Sequence, residues 1–180
     1  LIEKNHFKEG ILFSLSDNND LMVFNKKKVN RNEALNNQLK FLQIKWEAFL
    51  NGDIQIEKVF DIEKYATFFS IIDLMDGHHA AIKMNLKMYL NPVTNLIEPI
   101  AREYNSLRYS DGPPNSPLMI EIINKEIDNY FFLFSELSKN NLFIESYLNS
   151  LIKLSKKEYL NDFFQKNKKL INEKLNIIYK

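Results

Sequence analysis

Two aspartates, an adjacent pair of histidines, an asparagine and a glutamate fall within one stretch of this chain, Asp73 to Glu103, which reads DLMDGHHAAIKMNLKMYLNPVTNLIEPIARE. Their order is the one a phosphoryl-transfer site asks for. In protein kinases a loop aspartate takes the proton of the attacking hydroxyl, an asparagine closing that loop holds a metal ion, and a second carboxylate after a short hairpin binds the metals bridging the nucleotide phosphates. Asp73 or Asp76, then Asn85, then Glu103 stand in that sequence. Magnesium keeps water and phosphate for most of its shell, so one carboxylate and one amide suffice from the protein. The adjacent His78 and His79 could instead ligate zinc, although neighbouring side chains diverge on a regular element, and a loop histidine more often organises hydrogen bonds.

Positioning these groups is the task of the elements around them. LKMYL (Leu86 to Leu90) reads as a strand, NPVTN (Asn91 to Asn95) as a turn with Pro92 presetting φ, and LIEPI (Leu96 to Ile100) as the returning strand. Pro99 places that second strand at a sheet edge. Asp61 is a helix N-cap, and Tyr65, Phe68 or Phe69 and Ile72 form the inward face of the helix that follows. That helix delivers Asp73 and Asp76 at its C-terminal end, where a carboxylate opposes the helix dipole. Gly77 is the natural breaker beyond it.

The run Asn85, Tyr89, Asn91-Pro92 and Glu98-Pro99-Ile100 resembles the spore-coat CotH kinase family, over roughly residues 55 to 180. Members of that family show an N-x-x-x-Y strand, a turn containing Asn-Pro, and a Pro-Ile or Pro-Trp segment ahead of a metal-binding acid. The resemblance implies an atypical protein kinase that transfers the γ-phosphate of ATP, with Mg²⁺ or Mn²⁺, to the Ser or Thr hydroxyl of a protein substrate. It implies Asn85 and Glu103 as metal and nucleotide ligands, and an aspartate before the histidine pair as catalytic base. Typical members carry Asp where this chain has Glu103. Relatives with longer loops place the acid in an Asp-Leu pair ahead of a histidine, which here matches Asp73 and His79, so both aspartates stay in play. A pseudokinase or helical protein-interaction module is the alternative.

Composition sets the outer bounds. The 180 residues suffice for one domain with a substantial core. Fourteen Phe and eight Tyr against four Gly favour helices with bulky packing. A net charge of +1 argues against a dedicated nucleic-acid surface. The absence of cysteine excludes disulfides, thiolate nucleophiles and Cys-ligated metal. Apolar runs such as Phe131 to Phe134 fall far short of a membrane span. An opening on Leu1, with nothing like a signal peptide, points to a piece of a longer kinase domain whose phosphate-holding lysine lies upstream.

The expected fold class is α+β, mainly α: a helical bundle like a kinase C-lobe, with a small β-hairpin carrying the site. Residues 1–180 form one domain, with a hairpin region over about 1–30 and a helical body over about 31–180. Gly10 to Ser16, the turn Asp17 to Asp20 and Leu21 to Phe24 make the first hairpin. The basic run Lys26 to Lys28 reads as a solvated loop, and His6 has no second ligand near it. Leu35, Leu39, Leu42, Trp46 and Phe49 define a helix from Glu33 to Leu50 that stops at Asn51-Gly52. Asp53 to Phe60 reads as a short strand or linker. Tyr104 to Pro117 is an exposed loop where an activation segment would run, with Arg102 or Arg108 as phosphate partners. Ser116-Pro117 opens a helix through Leu118, Ile122 and Ile123, and another covers Asp128 to Leu137. Phe143, Tyr147, Leu151 and Leu154 mark the next helical face, and Ser155 to Glu158 reads as a capping box for the last helix.

Overall fold

Alternation makes the first strand: Ile11, Phe13 and Leu15 are fully buried, on the inner face of β1 (Ile11–Leu15). The computed structural model describes residues 10–102, 118–123 and 131–178. A turn with Asn19 in the left-handed region (φ 65°) leads into β2 (Leu21–Val23), which pairs antiparallel with β1, Phe13 opposite Val23. The second hairpin joins the same sheet. Its first strand β3 (Lys87–Leu90) lies antiparallel to β1, Ile11 opposite Leu90, and β4 (Ile97–Ile100) pairs with β3, giving the order β2-β1-β3-β4. Gly10 fits where β1 begins because a Cβ there would collide with the Leu90 carbonyl and the Tyr89 ring.

β4 is an edge strand, as Pro99 implies. At its start the edge is covered: Ile97 donates to the Val59 carbonyl at 2.8 Å, and its own carbonyl accepts from Asp61 at 3.0 Å. Residues Ile56–Lys58 form a 3₁₀ turn, so only Phe60 of the segment expected as a strand bridges to the sheet.

The helices follow the apolar spacing. After a short α1 (Lys26–Arg31), where a loop was expected, Asn32 caps α2 (Glu33–Leu50) by accepting from Leu35 N at 3.0 Å. Val29 gives α1 its one buried side chain and so holds the basic run in a helix against α2. Leu35, Leu39, Leu42 and Trp46 are buried, and Gly52 closes α2 with φ 76°. Asp61 caps α3 (Ile62–Leu74) by accepting from Lys64 N at 3.2 Å. The later elements are α4 (Leu118–Ile123), α5 (Phe132–Leu137), α6 (Asn141–Leu154) and α7 (Lys157–Ile178). Ser155 belongs to the end of α6: its N–H donates to Leu151 O at 2.9 Å and its hydroxyl to Ile152 O at 3.2 Å. The expected capping box is not formed, because α7 starts at Lys157 and the residue ahead of it is Lys156, while Ser155 is still in helical backbone as the C-cap of α6.

Aromatic rings fill the space between sheet and helices. Trp46, Phe60, Tyr65, Phe69, Phe134, Phe143 and Tyr147 form a continuous chain, with successive centroids between 4.9 and 6.2 Å apart. Most of these contacts are edge to face, the arrangement the ring quadrupoles favour. α3 and α6 pack along their length, and Ser70 lets them approach: its hydroxyl lies 2.7 Å from Ala66 O and 3.0 Å from Tyr147 O. The protein is thus α+β, mainly helical, with a small antiparallel sheet. The C-terminus of α3 and the entrance of β3 are held on opposite ends of one loop, Met75 to Leu86.

Candidate functional site

The helix ends in a Schellman closure. Gly77 N donates to Ile72 O at 2.8 Å and Asp76 N to Asp73 O at 3.2 Å, which satisfies two of the last carbonyls of α3. The residue in the left-handed position is Asp76, with φ 53°, while Gly77 next to it sits at φ −98°. An L-residue with a Cβ is disfavoured there by about 1 kcal/mol, although Asp tolerates it better than most. The chain thus strains a carboxylate while a glycine stands one position away. Such a departure from the local rule marks a candidate functional residue.

Asp73 is held differently. Its side chain is only 3% exposed, and both oxygens accept hydrogen bonds. Oδ1 takes His78 Nε2 at 2.8 Å and Leu118 N at 3.1 Å, and Oδ2 takes the Tyr147 hydroxyl. One carboxylate therefore joins α3, the 3₁₀ turn His78–Ala81, the start of α4 and the middle of α6. Hydrogen bonds to an ionised group contribute about 1.5–3 kcal/mol each, which offsets the burial and the opposing helix dipole. Burial, then the bond to Asp73 and its charge, push the Tyr147 hydroxyl pKa far above its usual value, keeping it a donor. His78 is buried beside the Phe131 ring.

His79 faces the other end of the loop. Asn85 Nδ2 donates to His79 Nε2 at 2.9 Å and to the His79 carbonyl at 3.1 Å. The carbonyl fixes the amide orientation, since an oxygen turned toward it would be repelled. With the nitrogen committed to the loop, the amide oxygen is the end of Asn85 that can face a cation. His79 then accepts at Nε2 and carries its proton on Nδ1.

Two further groups, which the sequence reading did not assign a role, brace this loop. Lys83 is 5% exposed, and its ammonium donates to the Asp17 carbonyl, with Asn19 Oδ1 at 3.4 Å. Trp46 Nε1 donates to the Asn19 carbonyl at 2.9 Å, so the turn of the first hairpin is gripped from α2 and from the loop together. Glu98 is 2% exposed and clamps the second hairpin: Oε1 accepts from Asn91 Nδ2 at 2.7 Å and from Lys64 at 2.8 Å. Burial draws the Lys64 pKa down, but the bonds to Glu98 and Asp61 outweigh it and the net shift is upward. Nothing in the residue types marked Lys83 or Glu98 as buried: in a strand the apolar neighbours Ile97 and Pro99 point to the face opposite Glu98.

The structure brings Asp76, His79 and Asn85 to one loop and leaves Asp73 in the last turn of α3 just ahead of it. Asp73 faces the helices and Asn85 the loop backbone. Glu103 and Arg108 lie outside the described residues, as do the Ser116-Pro117 helix start and residues 128–130; Arg102 is exposed at the end of the described segment. Among the described residues, no group of three or more His, Cys, Asp or Glu stands close enough to hold a metal ion. Asn85 Oδ1, Asp76 and Glu103 have the hard-oxygen chemistry magnesium or manganese takes, and the amide orientation fits that use. A groove of about 570 Å³ runs along α3 past Lys64, Phe68 and Ile71 to Pro99 and Ala101, away from Asp73, Asp76, His79 and Asn85. No helix among the described residues is long and apolar enough to cross a membrane. Comparison with known protein families, with curated proteins and with solved structures gave no match.

Proposed function

We propose that this chain is the helical, C-lobe-like part of a CotH-like phosphotransferase that moves the γ-phosphate of ATP to a protein hydroxyl. The observation that carries the reading is the Asn85 amide, whose nitrogen is bound to the loop at the His79 carbonyl and ring, leaving its oxygen as the cation-facing end at the mouth of β3. Asn85 and Glu103 would hold Mg²⁺ or Mn²⁺, which neutralises charge on the β- and γ-phosphates when bound.

The base must present an oxygen to the incoming hydroxyl. Asp73 has both oxygens taken by protein donors and becomes the residue that fixes the loop on the helices, and we assign the base role to Asp76 for its left-handed place at the start of the loop. Asp76 takes the hydroxyl proton as the oxygen attacks the γ-phosphorus and the bond to the β-phosphate oxygen breaks. His79 keeps Asn85 oriented. Catalysis then rests on placement of charge rather than on covalent chemistry of the protein.

The test is phosphate transfer from γ-labelled ATP with Mn²⁺ to a Ser/Thr-containing acceptor protein, beside a thermal-shift measurement of Mn²⁺·ATP binding. Asp76→Asn keeps the shift and loses transfer at least a hundredfold; Asn85→Ala loses both. A wild-type protein that shows neither shift nor transfer contradicts the proposal.

A further inference from the structure

The last helix carries an apolar face that the rest of the described structure does not cover. In α7, Leu160 (49% exposed), Phe163, Phe164, Leu170, Leu175 and Ile177 (69%) all remain substantially exposed. Among the described elements, α7 contacts chiefly α6. Helices in folded proteins draw most of their stability from packing an amphipathic face rather than from propensity, and α7, 22 residues long, leaves such a face open.

Sequence geometry says what kind of partner fits. At 3.6 residues per turn, Tyr159, Phe163, Leu170 and Ile177 lie on one side of an arc of about 160°, and Leu160, Phe164, Ile171 and Leu175 on the other. Asn167 and Lys174 stand in the middle of the arc. A helix lying on lipid would bury them at its deepest line, whereas helix pairs carry Asn or Lys at isolated seam positions, where they select register and partner at some cost in stability. One border of the face holds Lys166 and Glu173, two turns apart and opposite in charge. A two-fold axis between them, with helices antiparallel, sets each Lys166 against Glu173 of the second copy and brings the two Asn167 positions within about 8 Å of each other along the helix axis. Parallel pairing would put each Lys166 and Glu173 across the seam from the other border of the second helix, without that charge match. On α6, Leu148 and Ile152 are likewise exposed and one turn apart. At roughly 100 Å² apiece, the eight exposed side chains offer about 800 Å², the share one partner contributes to a stable interface.

We propose that α7, with Leu148 and Ile152 of α6, is the surface on which two copies of this chain pair antiparallel. The experiment is sedimentation equilibrium on the full chain across a concentration series, at low and high salt. Twice the chain mass of 21.3 kDa is expected for the wild type. Lys166→Glu alone and Glu173→Lys alone each set like charges together twice per dimer and weaken association roughly tenfold. The double exchange Lys166→Glu/Glu173→Lys restores it. Leu170→Glu gives a monomer; the charge exchanges, on the solvent border, keep the test valid should that variant lose helix. A wild type that stays monomeric throughout overturns the proposal, as do charge exchanges without effect. Co-sedimentation of the wild type with anionic lipid vesicles in place of self-association also overturns it.

Discussion

Asp73 and Asp76 leave the same helix three residues apart and meet opposite surroundings. Asp73 is buried, accepts three hydrogen bonds from three elements and lies in helical backbone. Asp76 is half-buried, sits in a left-handed conformation and begins the loop that ends at Asn85. The first is what an architecture requires of a carboxylate; the second is what a fold tolerates in exchange for a group placed at a loop. The same division separates the histidines, His78 joining the Asp73 cluster and His79 the Asn85 end.

The comparison can be broken at its strongest point first. Asp73→Ala leaves His78, the Tyr147 hydroxyl and the Leu118 amide without their acceptor, and should cost about 3–5 kcal/mol in urea unfolding. A loss near zero would mean the carboxylate is not the junction described. Tyr147→Phe removes one of the donors and should cost about 1–3 kcal/mol by the same assay.

Tyr147 also gives that cluster a pH signature. Burial, with the bond to Asp73, raises the folded-state pKa above its ordinary 10.0. Below that value the hydroxyl is protonated in both states and its contribution is fully present. As pH rises past it, the unfolded chain releases the proton first and stability falls until the folded value is passed. Wild type should therefore lose stability above about pH 10 more steeply than Tyr147→Phe; parallel profiles would show that the hydroxyl is not held as described.

Asp76→Gly should act in the other direction and by less. Removing the Cβ from a left-handed position leaves stability unchanged or raises it by up to about 1 kcal/mol, while phosphate transfer is lost. A clear destabilisation would place Asp76 with Asp73 among the structural acids.

Much of the scaffold was legible because local chemistry sufficed. The apolar spacing from Leu35 to Trp46 gave α2 to its bounds, Asp61 was recognisable as a cap, and NPVTN as the turn between two strands. What was not legible depends on partners distant in the chain. Nothing in Ile11 to Leu15 says that it lies beside β3, and the Tyr147 hydroxyl reaches Asp73 across 74 positions. Ser155 shows the same limit at short range: its spacing to Glu158 matches a capping box, but it ends α6 in helical backbone and α7 starts only at Lys157. At the site, residue types and order placed Asp73 and Asp76 at the end of a helix ahead of the histidine pair and Asn85, and Asp73 is there in α3. They could not say that Asp73 would tie that helix to α4 and α6.

The proposed function requires Asn85 and Glu103 to hold one cation in common. Manganese binding with ATP, followed by electron paramagnetic resonance on the full chain, addresses this directly. Wild type and Asp76→Asn should bind Mn²⁺, while Asn85→Ala and Glu103→Gln should each lose affinity by tenfold or more. Equal binding by wild type, Asn85→Ala and Glu103→Gln would contradict the account.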